Sequence, residues 1–174
     1  MKQLATAIIA IIIAGCSGSS SSNEPPLETV PSLNVKQYSG KWYEIASFPF
    51  YWQEGCSCTT AEYEILEQGV IKVTNTCIKE GEVDQSVGKA FVVEGSNNTK
   101  LQVQFFWPFK GDYWVIDLAP DYSYAVVGVP SRKYCWILSR TTVMDEAVYN
   151  RILERIKAKG FDVTKFNRTA QECP

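Results

Sequence analysis

From Gly40 onward, apolar and polar residues alternate in short runs separated by turn residues. Residues 59–66 set Ala61, Tyr63 and Ile65 on one side and Thr60, Glu62 and Glu64 on the other. That period of two is the pattern of a half-buried strand. Residues 70–78 follow, with Ile71, Val73 and Asn75 on one side. Spans 40–48, 85–93, 101–106, 113–118, 124–129 and 134–140 read as further strands. Segments rich in Gly, Asn, Pro or Asp punctuate them, with Glu67-Gln68-Gly69 as a hairpin turn and Pro49 with QEGCSC as a loop. Eight short strands with short connections predict an all-β fold, an eight-stranded up-and-down antiparallel barrel.

One segment changes period. Val148, Ile152 and Ile156 recur every fourth residue with Leu153 beside them, which predicts an amphipathic helix. Thr142 is its expected cap, Asp145 and Glu146 supply acid to the first turn, and Gly160 suits the C′ position. A single C-terminal amphipathic α-helix after eight strands is expected to pack outside the barrel.

The N-terminus has no such pattern. Leu4 to Gly15 is apolar apart from one Thr, shorter than the roughly 20 residues of a membrane span. With Lys2 ahead of it, it reads as a signal peptide over residues 1–15. Ile13-Ala14-Gly15-Cys16 resembles the bacterial lipobox, which implies lipidation of Cys16. SGSSSSNEPP then reads as a tether within residues 16–32, too poor in apolar surface to order itself. Residues 33–174 form the expected domain. Ser17 after the lipidated position implies, by the habit of such lipoproteins, the outer membrane, with the domain facing the periplasm.

Composition narrows the chemistry. The chain has 174 residues, net charge −2 and 13% aromatic residues. No basic field invites nucleic acid. The absence of His weakens metal, haem and His-dependent catalytic readings, so no metal or other cofactor is expected. Six cysteines in an exported chain suggest disulfides. Cys56 and Cys77 fall on hairpin neighbours and are a candidate pair. Cys77 also shares the parity of Val73 and Asn75, so an inward thiol stays open as an alternative.

Gly40-Lys41-Trp42-Tyr43-Glu44-Ile45-Ala46 resembles the first lipocalin signature, G-x-W, and Trp136-Ile137-Leu138-Ser139-Arg140 the third. FFWPFKGDYWVIDL and GFDVTKF are similar to bacterial outer-membrane lipocalins and their apolipoprotein D-like relatives. The second signature, T-D-Y, has no clear match near Ala119-Pro120-Asp121. The resemblance spans roughly residues 33–173. It implies a lipocalin barrel with Trp42 across its closed end and Arg140 stacked on it, both structural. It also implies a Cys58–Cys173 bridge to the C-terminal tail, which with Cys56–Cys77 would leave Cys135 unpaired.

Matching the strands to ligand-holding lipocalins places Ala61, Tyr63, Val73, Asn75, Val103, Phe105, Tyr113, Val115, Trp136 and Leu138 inside. That set suits a fatty acid or lysophospholipid. No charged inward position is expected, so the head group would stay at the mouth. The resemblance implies a binding, storage or transport protein rather than an enzyme. The alternatives are an enzyme using the Cys77 thiol and an envelope stress-protection protein whose cavity is incidental.

Overall fold

The computed structural model describes residues 25–66 and 69–173. The signal, the lipidation site at Cys16 and most of the tether lie outside these residues, as do Glu67 and Gln68 of the expected hairpin turn.

A four-residue helix, α1 (Val35–Tyr38), is capped by Asn34, whose side chain accepts from the backbone of Lys36 and Gln37. The strands follow: β1 (Gly40–Ser47), β2 (Cys56–Ile65), β3 (Ile71–Lys79), β4 (Glu82–Val92), β5 (Lys100–Gln104), β6 (Gly111–Leu118), β7 (Tyr124–Gly128) and β8 (Cys135–Ser139). Each pairs antiparallel with the next, β8 pairs with β1, and β1 pairs with β2, so the sheet closes into a barrel. Closure removes the exposed sheet edges that would invite aggregation.

The segment expected to be a loop around Cys56-Ser57-Cys58 opens β2 instead. Its register slips between Ser57 and Thr60, and Cys58 has φ +54°. This bulge explains why alternation alone began the strand at residue 59. The two-residue β9 (Asn167–Arg168) was not foreseen; it pairs with the second half of β1, while β2 pairs with the first half. The C-terminal tail therefore bridges the place where β1 and β2 part. Cys58 N–H donates to Ala170 O, and Gln171 Nε2 donates to the carbonyls of Glu44 and Thr59. Cys58 and Cys173 are joined in a disulfide across the same seam, and Cys56 with Cys77 across the β2–β3 hairpin. Cys135 is the unpaired cysteine among the described residues.

Helix α2 (Glu146–Ala158) packs outside. Asp145 rather than Thr142 caps it, accepting from Ala147 and Val148 N–H. Asp145 sits directly before the first helical residue, where a cap carboxylate reaches those two donors. Tyr149, Ile152 and Ile156 bury against the outward residues Ile116, Val126 and Ile137 of the barrel wall. Arg155 anchors the helix to β6 through Asp117 at 2.8 Å. A Cβ at Gly128 would come within 2.7 Å of the Phe161 ring, so the missing side chain lets the ring lie against the wall.

The floor is sealed at one end. Trp42 is fully buried and donates Nε1–H to Tyr38 O. The Arg140 guanidinium lies 3.7 Å from the Trp42 ring centroid. It donates to the carbonyls of Gln37, Tyr38, Ser39 and Lys41, tying α1 to the start of β1. Replacement Arg140→Lys keeps the charge but cannot reproduce a planar fork stacked on an indole. It should destabilise the fold by about 2 kcal/mol, read as a lowered urea midpoint; an unchanged midpoint would mean the floor does not depend on this residue.

Candidate functional site

The side chains that face the interior follow from the pairing registers. In an antiparallel sheet, directly opposed residues share a face. Trp42 opposes Ala61, which opposes Asn75. Tyr63 opposes Val73, Val103 opposes Ala90, and Leu101 opposes Tyr113. Val115 opposes Val127, which opposes Trp136, and Ala125 opposes Leu138. Phe105 packs against this same inner cluster. The registers and packing thus bring the expected inward residues onto one face.

The outer face stays distinct because two bulges reset the phase. Between Glu44 and Ala46 the β1–β8 register shifts, so that Ile45 and Ala46 join the outer core beneath α2. A second shift between Val115 and Asp117 turns Asp117 outward to Arg155 and returns Leu118 to the inside.

Burial differs along the inner wall. Tyr63, Val73, Val115 and Leu138 are buried. Ala61, Asn75, Val103, Phe105, Tyr113 and Trp136 keep partial exposure although they face inward. By residue these six are the less tightly enclosed part of the inner wall. Gly88 makes room as well: a Cβ there would meet the Phe105 ring at 2.8 Å. Two surface depressions are lined, one by Ile45, Met144 and Arg168 and the other by Gln37, Tyr122 and Arg140.

The expectation that no charged residue faces inward is corrected by Glu44. It opposes Leu138 and is buried. Ser47 Oγ, Gln53 Nε2 and Thr169 Oγ1 all donate to its carboxylate, which explains how an acid is tolerated there. Gln53 Oε1 in turn accepts from Trp136 Nε1 at 3.1 Å. The network joins the wall, the β1–β2 loop and the C-terminal tail.

Tyr38 joins the inner site from α1. Its hydroxyl lies 2.6 Å from that of Tyr113, and the Tyr63 hydroxyl lies 2.8 Å from the same oxygen. Alternation could flag Tyr63 and Tyr113, but nothing local marks Tyr38, which reaches them only through the closure of the barrel. Cys77 faces the same way as Asn75, but its sulfur is bonded to Cys56, so the inward thiol does not exist. Cys135 lies on the outer side, where burial pushes its thiol up and leaves it protonated.

Burial raises the Tyr63 hydroxyl to about 12 and those of Tyr38 and Tyr113 well above the ordinary tyrosine value. An unfolded tyrosine ionises near pH 10. Between about pH 10 and 12 the unfolded chain has lost protons that the folded chain keeps, so stability falls as pH rises through that window. Below it these groups give no slope. An absorbance titration of tyrosinate in the folded protein should show five of the nine tyrosines lagging, Tyr38, Tyr63 and Tyr113 with Tyr124 and Tyr149, which burial also raises. Uniform ionisation near pH 10, with the circular dichroism of the folded state intact, would contradict this.

Comparison with known proteins agrees with this geometry. A lipocalin-like domain model matches residues 33–171. Temperature-induced lipocalin-1 of Arabidopsis thaliana is 40% identical over 154 residues, 83% of either chain. The outer membrane lipoprotein Blc of Vibrio cholerae is 35% identical over 99% of this chain and all of its own. Among solved structures, insecticyanin of the tobacco hornworm Manduca sexta superposes with a TM-score of 0.69 at 23% identity, covering 84% of this chain and 85% of its own, a likeness of fold. With a closed eight-stranded barrel, a sealed floor, an outer helix and relatives along nearly its whole length, this chain belongs to the lipocalin family.

Proposed function

We propose that this protein binds an amphipathic lipid, a fatty acid or lysophospholipid, and stores or carries it at the outer membrane. Family membership supports hydrophobic ligand binding in general. The observation that carries the finer reading is the inner wall itself: a largely apolar face, partly accessible, sealed at one end by Trp42 and Arg140. Each buried methylene contributes about 0.8 kcal/mol, so an acyl chain of ordinary length offsets the several kcal/mol that association costs. A charged head would stay at the mouth, where water solvates it, because taking a charge out of water into the largely apolar inner wall is costly. Binding, rather than chemistry at a thiol, is the reading supported by the Cys56–Cys77 bridge.

Three observations support a membrane setting. The full-length relative from Vibrio cholerae is named an outer membrane lipoprotein. Tyr51, Trp52, Phe106, Trp107 and Phe109 are exposed on the β1–β2 and β5–β6 loops, at the end away from Trp42. Aromatic residues of this kind favour the membrane interface. Pro25, near the start of the described chain, gives its carbonyl to Arg132 on the β7–β8 turn of that same end. A lipid on Cys16 would therefore hold the mouth toward the bilayer, the domain lying on the periplasmic side.

Val103→Arg, on the inner face, should abolish displacement of a fluorescent fatty acid, whereas the exposed Gln102→Arg should leave it intact. Equal effects, with circular dichroism unchanged, would refute an interior site. Cys16→Ser should leave an uncleaved precursor or a protein released from the membrane fraction; normal processing with unchanged fractionation would refute the anchor.

A further inference from the structure

Three tyrosine hydroxyls meet at the floor of the barrel. They come from α1, β2 and β6, and Tyr113 Oη is the shared member of both contacts. Each hydroxyl has one proton to donate and two lone pairs. Three protons serve two contacts, so one O–H remains without an acceptor within the cluster. Tyr38 and Tyr63 are 3% and 5% exposed, enclosed in the wall and floor. Tyr113 opposes Leu101, which puts it on the inner face, and as a residue it is less tightly enclosed than the other two. Either oxygen can donate at each contact; the arrangement in which Tyr38 and Tyr63 both donate to Tyr113 leaves the Tyr113 proton for the interior. Two donors on one oxygen polarise its O–H and strengthen it as a donor.

The acceptor that fits is uncharged. Arg140, the cation at the floor, is taken up by the Trp42 ring and four backbone carbonyls. Burial holds the three hydroxyls protonated, so they remain donors at ordinary pH. An anion brought to this point would lose its hydration without gaining a counter-charge.

We propose that Tyr113 is an anchor at the barrel floor, and that the preferred ligands are acyl or similar apolar chains bearing a neutral oxygen, such as a hydroxyl or ketone, at the end that enters first. This rests on the reading that the interior holds such a chain. A hydrocarbon terminus would leave the Tyr113 donor unsatisfied, whereas an oxygenated terminus accepts its proton. The site would then discriminate at both ends of the ligand, by a donor at the floor and by solvent at the mouth.

The test uses matched pairs, a fatty acid and its ω-hydroxy analogue from dodecanoic to octadecanoic acid, each displacing a fluorescent fatty acid from the full-length wild type and from Tyr113→Phe. The readout is the ratio of the two affinities within each protein. In wild type, the hydroxy member should bind at least as tightly as its parent at the chain length that reaches the floor. In Tyr113→Phe the ratio should move about tenfold toward the parent. Tyr63→Phe, which removes one of the two supporting donors, should move it part of the way and serves if Tyr113→Phe does not fold. Wild-type preference for the parent at every length, or an unchanged ratio in both variants, would overturn the floor anchor and leave acyl binding standing. If neither member displaces the probe from folded wild type, the acyl reading fails and the anchor with it.

Discussion

A barrel that is to hold a ligand has to be closed at one end without being filled, and here that closure rests on one stacked pair. Arg140 lies against the face of Trp42 and takes four carbonyls from α1 and the first turn of β1. The pair fixes where the chain enters the barrel. That entry sets the phase of β1, and through the β1–β2 and β1–β8 registers it sets which residues of the neighbouring strands face inward. The position of Tyr38 follows from the same contact, since the indole donates to its carbonyl. Seal, strand phase and polar floor therefore depend on a single geometric constraint.

The second constraint is that β1, β6, β7 and β8 each serve two cores. One lies inside the barrel and the other between the barrel and α2. Strict alternation would divide residues cleanly between them, but the wall also bends, and the bulges in β1 and β6 absorb that bending. The bulge in β2 opens a seam that the tail covers with backbone pairing, Gln171 and the Cys58–Cys173 bridge. The bridge spans 115 residues, so it confines the unfolded chain strongly, by roughly 4–5 kcal/mol in the loop-entropy model.

The sequence made the strand count legible, because eight runs of alternation are each bounded by turn residues. It also made the outer helix legible, since Val148, Ile152 and Ile156 keep one period. The inner faces of β2, β3 and β5 could be read from parity. Their neighbours on β4 and β7, such as Ala90 and Val127, are inward too, but parity alone gives two equivalent choices until a partner strand fixes one. Bulges are hidden, because a one-residue phase shift leaves no mark in composition, and so alternation alone starts β2 at residue 59; Glu44 shares the parity of Trp42 with no bulge between them, so its direction was legible from alternation. Thr142 and Asp145 are both capping residue types, and only the backbone at residue 145 separates them. The meeting of Tyr38, Tyr63 and Tyr113 was beyond reach, as it joins residues up to 75 positions apart. The Cys58–Cys173 pairing was visible only through resemblance to relatives, since cysteine spacing does not determine connectivity.

The central claim is that the enclosed space holds one amphipathic lipid. Gentle purification of the full-length protein from membranes, followed by native mass spectrometry and identification of the released small molecule, addresses it most directly. The account predicts one lipid per chain, with an apolar chain and a polar head, lost when Val103 is replaced by Arg. Folded protein that carries no lipid, and takes none up when mixed with extracted membrane lipids, would contradict it.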